Sequence, residues 1–317
     1  MFVFDSSCHD NLTASNPLTL ALSRSILDHT QANEDFRAPE QPEVSSSLQD
    51  EWPDRAFARE SEPPILRMSR LSLVGLILLA MSGPMPALDP SIGQLVVSVA
   101  SSWNSSSGRI QLFEREGGEW RATSTPFRVL YGKNGLAWGR GVLGANEPGP
   151  QKAERDKRAP AGVFKIGKIY TYDPALPEGA KYPFRTITET DAWIDDPTLP
   201  HYNQHVVVDA KNPPPWFEKQ KMRLNDPPHR WLIEIRHNAD PPVPNAGSAI
   251  FFHLQRGPNR SSTGCTVMPE ASIVRIIKWL RKEKNPYYVL LPRDEYVRRW
   301  KAWGLPSPET AAGLLAP

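Results

Sequence analysis

SSTGCTVMPEASI, residues 261–273, sets a cysteine between a glycine and a threonine, just ahead of an apolar-periodic segment. A thiol kept for packing belongs in an apolar core, and one kept for a disulfide needs a partner. The chain has two cysteines, Cys8 and Cys265. Upstream of Cys265, SAIFFHL (248–254) reads as a strand carrying His253 near its end, and the loop QRGPNRSS separates the two residues. Downstream, Ile273, Ile276, Ile277 and Leu280 recur at i, i+3, i+4 and i+7. They predict an amphipathic helix in PEASIVRIIKWLRKEK, whose basic last turn would suit the negative end of the helix dipole. A polar, Gly-containing excursion of this length can return the chain beside its own strand and bring Cys265 within reach of His253. A histidine on a strand reads first as a structural residue. Paired with a thiol it is the minimum for thiolate catalysis, because the imidazole accepts the proton.

Charge divides the chain. Residues 1–87 carry 6 Lys/Arg against 12 Asp/Glu, and residues 88–317 carry 31 against 23. Between the two parts, MSRLSLVGLILLAMSGPMPA begins at Met68, has Arg70 close behind, and runs apolar from Leu71 to Met81. The run is short for a membrane span and has the form of a secretory signal with cleavage after Ala87. The alternatives are an uncleaved anchor and a buried core helix. Residues 1–67 are acidic, Ser-rich and without apolar periodicity, so they read as a disordered extension upstream of a true start at Met68. Cleavage would also remove Cys8 and leave Cys265 as a lone exported thiol.

The remainder reads mainly as strands. QLVVSVA (94–100), RIQLFERE and EWRATST flanking Gly117-Gly118 as a hairpin, GVFKIGKIY after a turn-like Ala159-Pro160-Ala161, WLIEIRH (231–237) and YYVLLP (287–292) all fit that pattern. Proline-rich connections such as DPPHR and ADPPVPNAG imply irregular loops. The basic balance lacks the clustered Lys/Arg with interleaved aromatics of a nucleic-acid binder, and attraction to an anionic envelope is the simpler reading.

His253, the loop, and Ser262-Thr263-Gly264-Cys265 together resemble the signature of the L,D-transpeptidase catalytic domain, the YkuD or ErfK family of cell-wall enzymes. ERDKRAPAGVFKIG (154–167), GKNGLAWGRG (132–141), DDPTLPHYN and GSAIFFHLQR extend the resemblance from about Gly93 to Leu291. Thr263 stands where many members have histidine, and Val267 where many have Asn or Arg. The resemblance implies a mainly β sandwich or barrel with one or two flanking α-helices, over residues 88–302, followed by a C-terminal tail at 303–317. It implies Cys265 as nucleophile, His253 as general base, and the Leu254 carbonyl as the group orienting the imidazole. The amides of Gly264 and Cys265 would form the oxyanion hole. Ser262, Thr263, Arg256 and Asn238 are candidates to bind substrate; each has a plainer reading as a loop residue. The implied partner is a peptidoglycan stem peptide, the implied place the periplasm or cell envelope, and the reaction needs no metal or organic cofactor. A monomer with no membrane span after signal cleavage is expected. A hydrolase of the same fold and a non-catalytic wall-binding module remain as alternatives. His201 and His205 have the spacing of a helical metal pair, but DDPTLP before them opposes a helix. Asp195 and Asp196 read as cleft-lining or as loop caps.

Overall fold

The computed structural model describes residues 87–316. The expected extension over 1–67 and the signal segment up to Pro86 lie outside the described residues. In chain order the strands are Gln94–Ala100 (β1), Ser107–Glu116 (β2), Glu119–Ala122 (β3), Phe127–Leu130 (β4), Leu136–Trp138 (β5), Ala159–Thr171 (β6), Phe184–Thr186 (β7), Asp191–Trp193 (β8), His205–Val207 (β9), Trp231–Ile235 (β10), Phe251–Leu254 (β11), Thr266–Met268 (β12) and Tyr287–Pro292 (β13). The helices are Phe217–Gln220 (α1), Glu270–Trp279 (α2), Arg293–Trp303 (α3) and Ala312–Leu315 (α4).

β1 is buried along its whole length, as a strand with neighbours on both edges requires. It pairs in parallel with β13 and antiparallel with β2. From β13 the sheet continues through β6, β10, β11, β12 and β4 to β2, so the β1–β2 pairing closes a ring. Eight strands make up the ring, and of this sheet only β3, β5 and β7, each paired on one side, keep an open edge. β3 extends β2 through the hairpin at Gly117 and Gly118, which take φ of 58° and 90°. The mainly β fold with two flanking helices of more than one turn agrees with the sequence reading.

Three expectations need correcting. The turn read at Ala159-Pro160-Ala161 is the start of β6, which pairs with β5 there; proline is tolerated at a strand's beginning. The helix α2 buries Ile273, Ile276 and Ile277 as its spacing predicts, but it stops at Trp279. Gln94 of β1 ends it from both sides: its Nε2 donates to the Trp279 carbonyl at 2.9 Å, and its Oε1 accepts the Arg281 amide at 2.9 Å. A buried glutamine thus satisfies helix-end groups that would otherwise be orphaned, and Arg281 falls outside the helix.

The third correction concerns the segment expected as a tail: as far as residue 316 it packs on the barrel. Trp303, Leu305, Ala311 and Leu314 are buried in the main core. The Leu88 amide donates to the Trp303 carbonyl at 2.9 Å, and Trp120 Nε1 donates to the Gly304 carbonyl at 2.8 Å. Apolar burial outweighs the Pro-rich look of LPSPET once β1 and β2 offer a surface to cover. Leu314→Ala is therefore expected to cost about 2–4 kcal/mol in urea denaturation, the range for a truncated core leucine. In a true tail the change would stay within about 0.5 kcal/mol.

Candidate active site

β11 and β12 lie parallel and adjacent, with Phe252 opposite Thr266 and His253 opposite Val267. Residues 255–265 return the chain between them as a loop, and that loop is stapled. Ser262 Oγ donates to the Cys265 carbonyl at 2.5 Å and accepts the Gly264 amide at 3.0 Å. The Ser262 amide donates to the Tyr131 carbonyl at 2.9 Å, which pins the loop to the end of β4. Gly264 takes φ 151°, and a Cβ there would lie 3.2 Å from the Arg158 carbonyl, so only glycine passes without strain.

His253 is buried, and its Nδ1 lies 2.9 Å from the Leu254 carbonyl. A carbonyl only accepts, so Nδ1 carries the proton and Nε2 is left as an acceptor. Burial, then the neighbouring His229, push its pKa down to about 3. The two rings stand 5.1 Å apart. His229 Nδ1 is 2.6 Å from Asp226, which also receives Arg256 at 3.0 Å.

Cys265, which the sequence reading brought within reach of His253, makes no hydrogen bond to it. Its thiol donates to the Ala249 carbonyl at 3.4 Å, and its side chain packs against the cluster of Tyr170, Trp193, Leu232 and Phe251. Burial pushes the thiol up to about 11, against a backbone hydrogen bond from Phe251 and the charge of Lys152. Ala249 itself sits at φ 54°, a left-handed conformation that costs about 1–3 kcal/mol in a residue other than glycine. Asn203 holds it there: its Oδ1 accepts the Ala249 amide at 2.9 Å and Trp193 Nε1 at 3.2 Å.

Cys265 and His253 line one cleft of about 430 Å³. Ser262, Thr263, Gly264, Arg256 and Val267 line it too, as do Lys133, Lys152, Arg155, Lys157 and Arg260 against the acids Glu154 and Asp195. The wall is therefore predominantly basic. Asn238 is not among these residues. Its Nδ2 donates to the Val243 and Gly247 carbonyls at 2.9 Å each, and its Oδ1 accepts the Val243 amide at 2.8 Å, so its polar atoms are spent on its own loop. The Gly264 amide is likewise taken by Ser262, and the glycine's contribution is conformational. Asp196 caps the turn at Thr198. His205 meets Asp191 at 2.5 Å, while His201 is exposed. Lys152, Glu154, Asn203 and His229 escaped the sequence reading. The last had one weak signal, a histidine held between prolines and arginine in DPPHR.

The barrel thus carries an imidazole on β11 and a thiol in the residue just before β12, both in the lining of one basic cleft. The sequence model of the YkuD family, described as the L,D-transpeptidase catalytic domain, matches residues 102–289. The chain belongs to that family, whose members act on peptidoglycan. Among solved structures, the helical cell shape determining protein Pgp2 from Campylobacter jejuni is similar at 11% identity with a TM-score of 0.30, over 63% of this chain and 48% of that one. The chain thus spans about half the length of that protein's chain. No curated protein sequence matches. Among the described residues no helix is long and apolar enough to cross a membrane.

The buried imidazoles give the fold an acid limit. His237, like His253, is pushed down to about 3, chiefly by burial. Both are neutral when folded and charged when unfolded below about pH 6.5, so the unfolded chain binds more protons there. Stability to urea is expected to be full above about pH 6.5 and to fall as pH drops toward 3, by about 1 kcal/mol per unit for each histidine. Equilibrium denaturation at pH 7, 6 and 5 measures this, and His237→Gln should flatten the slope.

Proposed function

We propose that the protein is an exported cysteine acyltransferase that cross-links peptidoglycan by L,D-transpeptidation. The observation that carries this reading is that Cys265 and His253 both line one basic cleft, in a chain of this family. Stem peptides are rich in carboxylates, and Arg256, Lys157 and Arg155 suit them. Arg256 already holds Asp226, so a substrate carboxylate would share it. Thr263 is exposed at the cleft mouth and is better placed to meet substrate than Ser262, whose hydroxyl is committed to the loop.

The thiol leaves the Ala249 carbonyl and gives its proton to His253 Nε2, held in the accepting tautomer by Leu254. The thiolate attacks the carbonyl of an L-to-D peptide bond. The C–N bond breaks, the terminal D-residue departs as an amine with the proton from His253, and a thioester remains. An amine of a neighbouring stem then attacks, its proton returns through His253, and the C–S bond breaks. Water in place of the amine would make the protein a carboxypeptidase.

Export follows the reading of Met68–Ala87 as a signal. Amino-terminal sequencing of the envelope form should begin near Leu88; a mature chain that keeps Cys8 would contradict it.

Incubation of the purified protein with muropeptides, read by mass spectrometry, tests the activity. Dimers are expected. Shortened stems would assign a hydrolase, and no change a wall-binding module. Cys265→Ser should unfold at the same temperature yet lose turnover by at least about 10³, since a hydroxyl is far harder to ionise than a thiol. Thr266→Ala, one residue away and turned to Tyr288 inside the barrel, should cost far less.

A further inference from the structure

The resting thiol sits against a carbonyl oxygen and an apolar cluster, surroundings that oppose its anion. In the resting site His253 is neutral and makes no hydrogen bond to the thiol, so a standing positive charge must come from elsewhere in the cleft. Of the cations there, Lys133, Arg155 and Arg260 are exposed, Lys157 is half-buried, and Arg256 is engaged by Asp226. Water and salt screen exposed charges. Lys152 differs: its side chain is 4% exposed, and a charge in a low-dielectric wall acts at greater strength.

Its placement is built. The stem lies on Gly247, where a Cβ would come within 3.0 Å of Lys152 Cγ. Gly247 leads through Ser248 to Ala249, the residue whose carbonyl holds the thiol. The ammonium donates to the Ala153 carbonyl at 2.8 Å and to Asp156 Oδ1 at 2.6 Å. Asp156 does not simply cancel it, because the same carboxylate accepts the Ala153 amide at 2.9 Å and the Arg158 amide at 2.8 Å. Its negative charge is shared among three donors. The Arg158 carbonyl in turn abuts Gly264, so the loop that fixes Lys152 is seated against the residue before the cysteine. The other acids are engaged: Glu154 receives Tyr202 and Ser248, and Asp226 receives His229 and Arg256. Asp195 also faces the cleft, and neutral His237 borders Gly247.

We propose that Lys152, fixed by Asp156, is the positioning residue whose buried charge stabilises the Cys265 thiolate. The inference rests on reading Cys265 as the nucleophile. The direction agrees with the pull of Lys152 against the burial that raises the thiol.

The test is the rate of Cys265 alkylation by iodoacetamide in the full chain across pH, read on the Cys265 peptide by mass spectrometry so that Cys8 does not count. Lys152→Met should raise the midpoint by about one unit and slow the reaction about tenfold below it. Lys152→Arg should restore the wild-type profile. A merely structural loss would admit water to the cleft and lower the midpoint, the opposite direction. Should the methionine variant not fold, Lys152→Gln, whose amide can keep a hydrogen bond to Asp156, decides with the same expected rise. A midpoint unchanged or lowered in the folded variant overturns this inference and leaves the nucleophile reading standing. A Cys265 that resists alkylation at every pH in the wild type overturns both.

Discussion

Parallel pairing of two very short strands governs this molecule. β11 and β12 are four and three residues long, and parallel neighbours need a connection that travels back to the same end. Residues 255–265 make that return without a helix. It holds because Ser262 cross-ties the loop internally and Tyr131 anchors it from β4. The pairing also hands the ring on from β10 to β4, so the closure of the barrel and the placement of Cys265 beside β11 are one event.

Beneath the pair the core is apolar with a few paired hydroxyls. Thr266 meets the Tyr288 hydroxyl at 3.0 Å, and Ser98 meets that of Tyr131 at 2.6 Å, so the polar atoms closest to the strand register are satisfied within the barrel. Around the cleft the opposite holds. Asn203, Asn238 and Ala249 all take positive φ, and their loops are held by side-chain amides donating to carbonyls. A rigid barrel floor and a wall of tied loops hold the Cys265 thiol where neither part alone could. Burial then sets its chemistry: the same packing that fixes the thiol opposes its ionisation.

Much of this was legible in the chain. Alternating or continuous apolar runs mark β1, β10 and β13, Gly117-Gly118 marks the hairpin, and the 3–4 spacing of Ile273, Ile276 and Ile277 marks α2. Cys265 and His253 stood out because their residue types are rare and carry chemistry. α3 was missed because RDEYVRRWKAW buries only Glu295, Tyr296 and Trp303, too few apolar positions to show a stripe.

The sequence by itself determined local structure and singled out the candidate reactive groups, since periodicity and residue chemistry act over a few positions. Tertiary structure alone decided what each group faces. Asn238 turned to its own loop, Ser262 to the Cys265 carbonyl, and the thiol to Ala249 rather than to His253. Residues 303–316 joined the core because β1 and β2 left them a surface. Lys152 looked like any lysine in a charged stretch until the barrel buried it. Each of these outcomes depends on partners distant in the chain, and burial, which sets the strength of every charge and hydrogen bond, exists only once those partners have met.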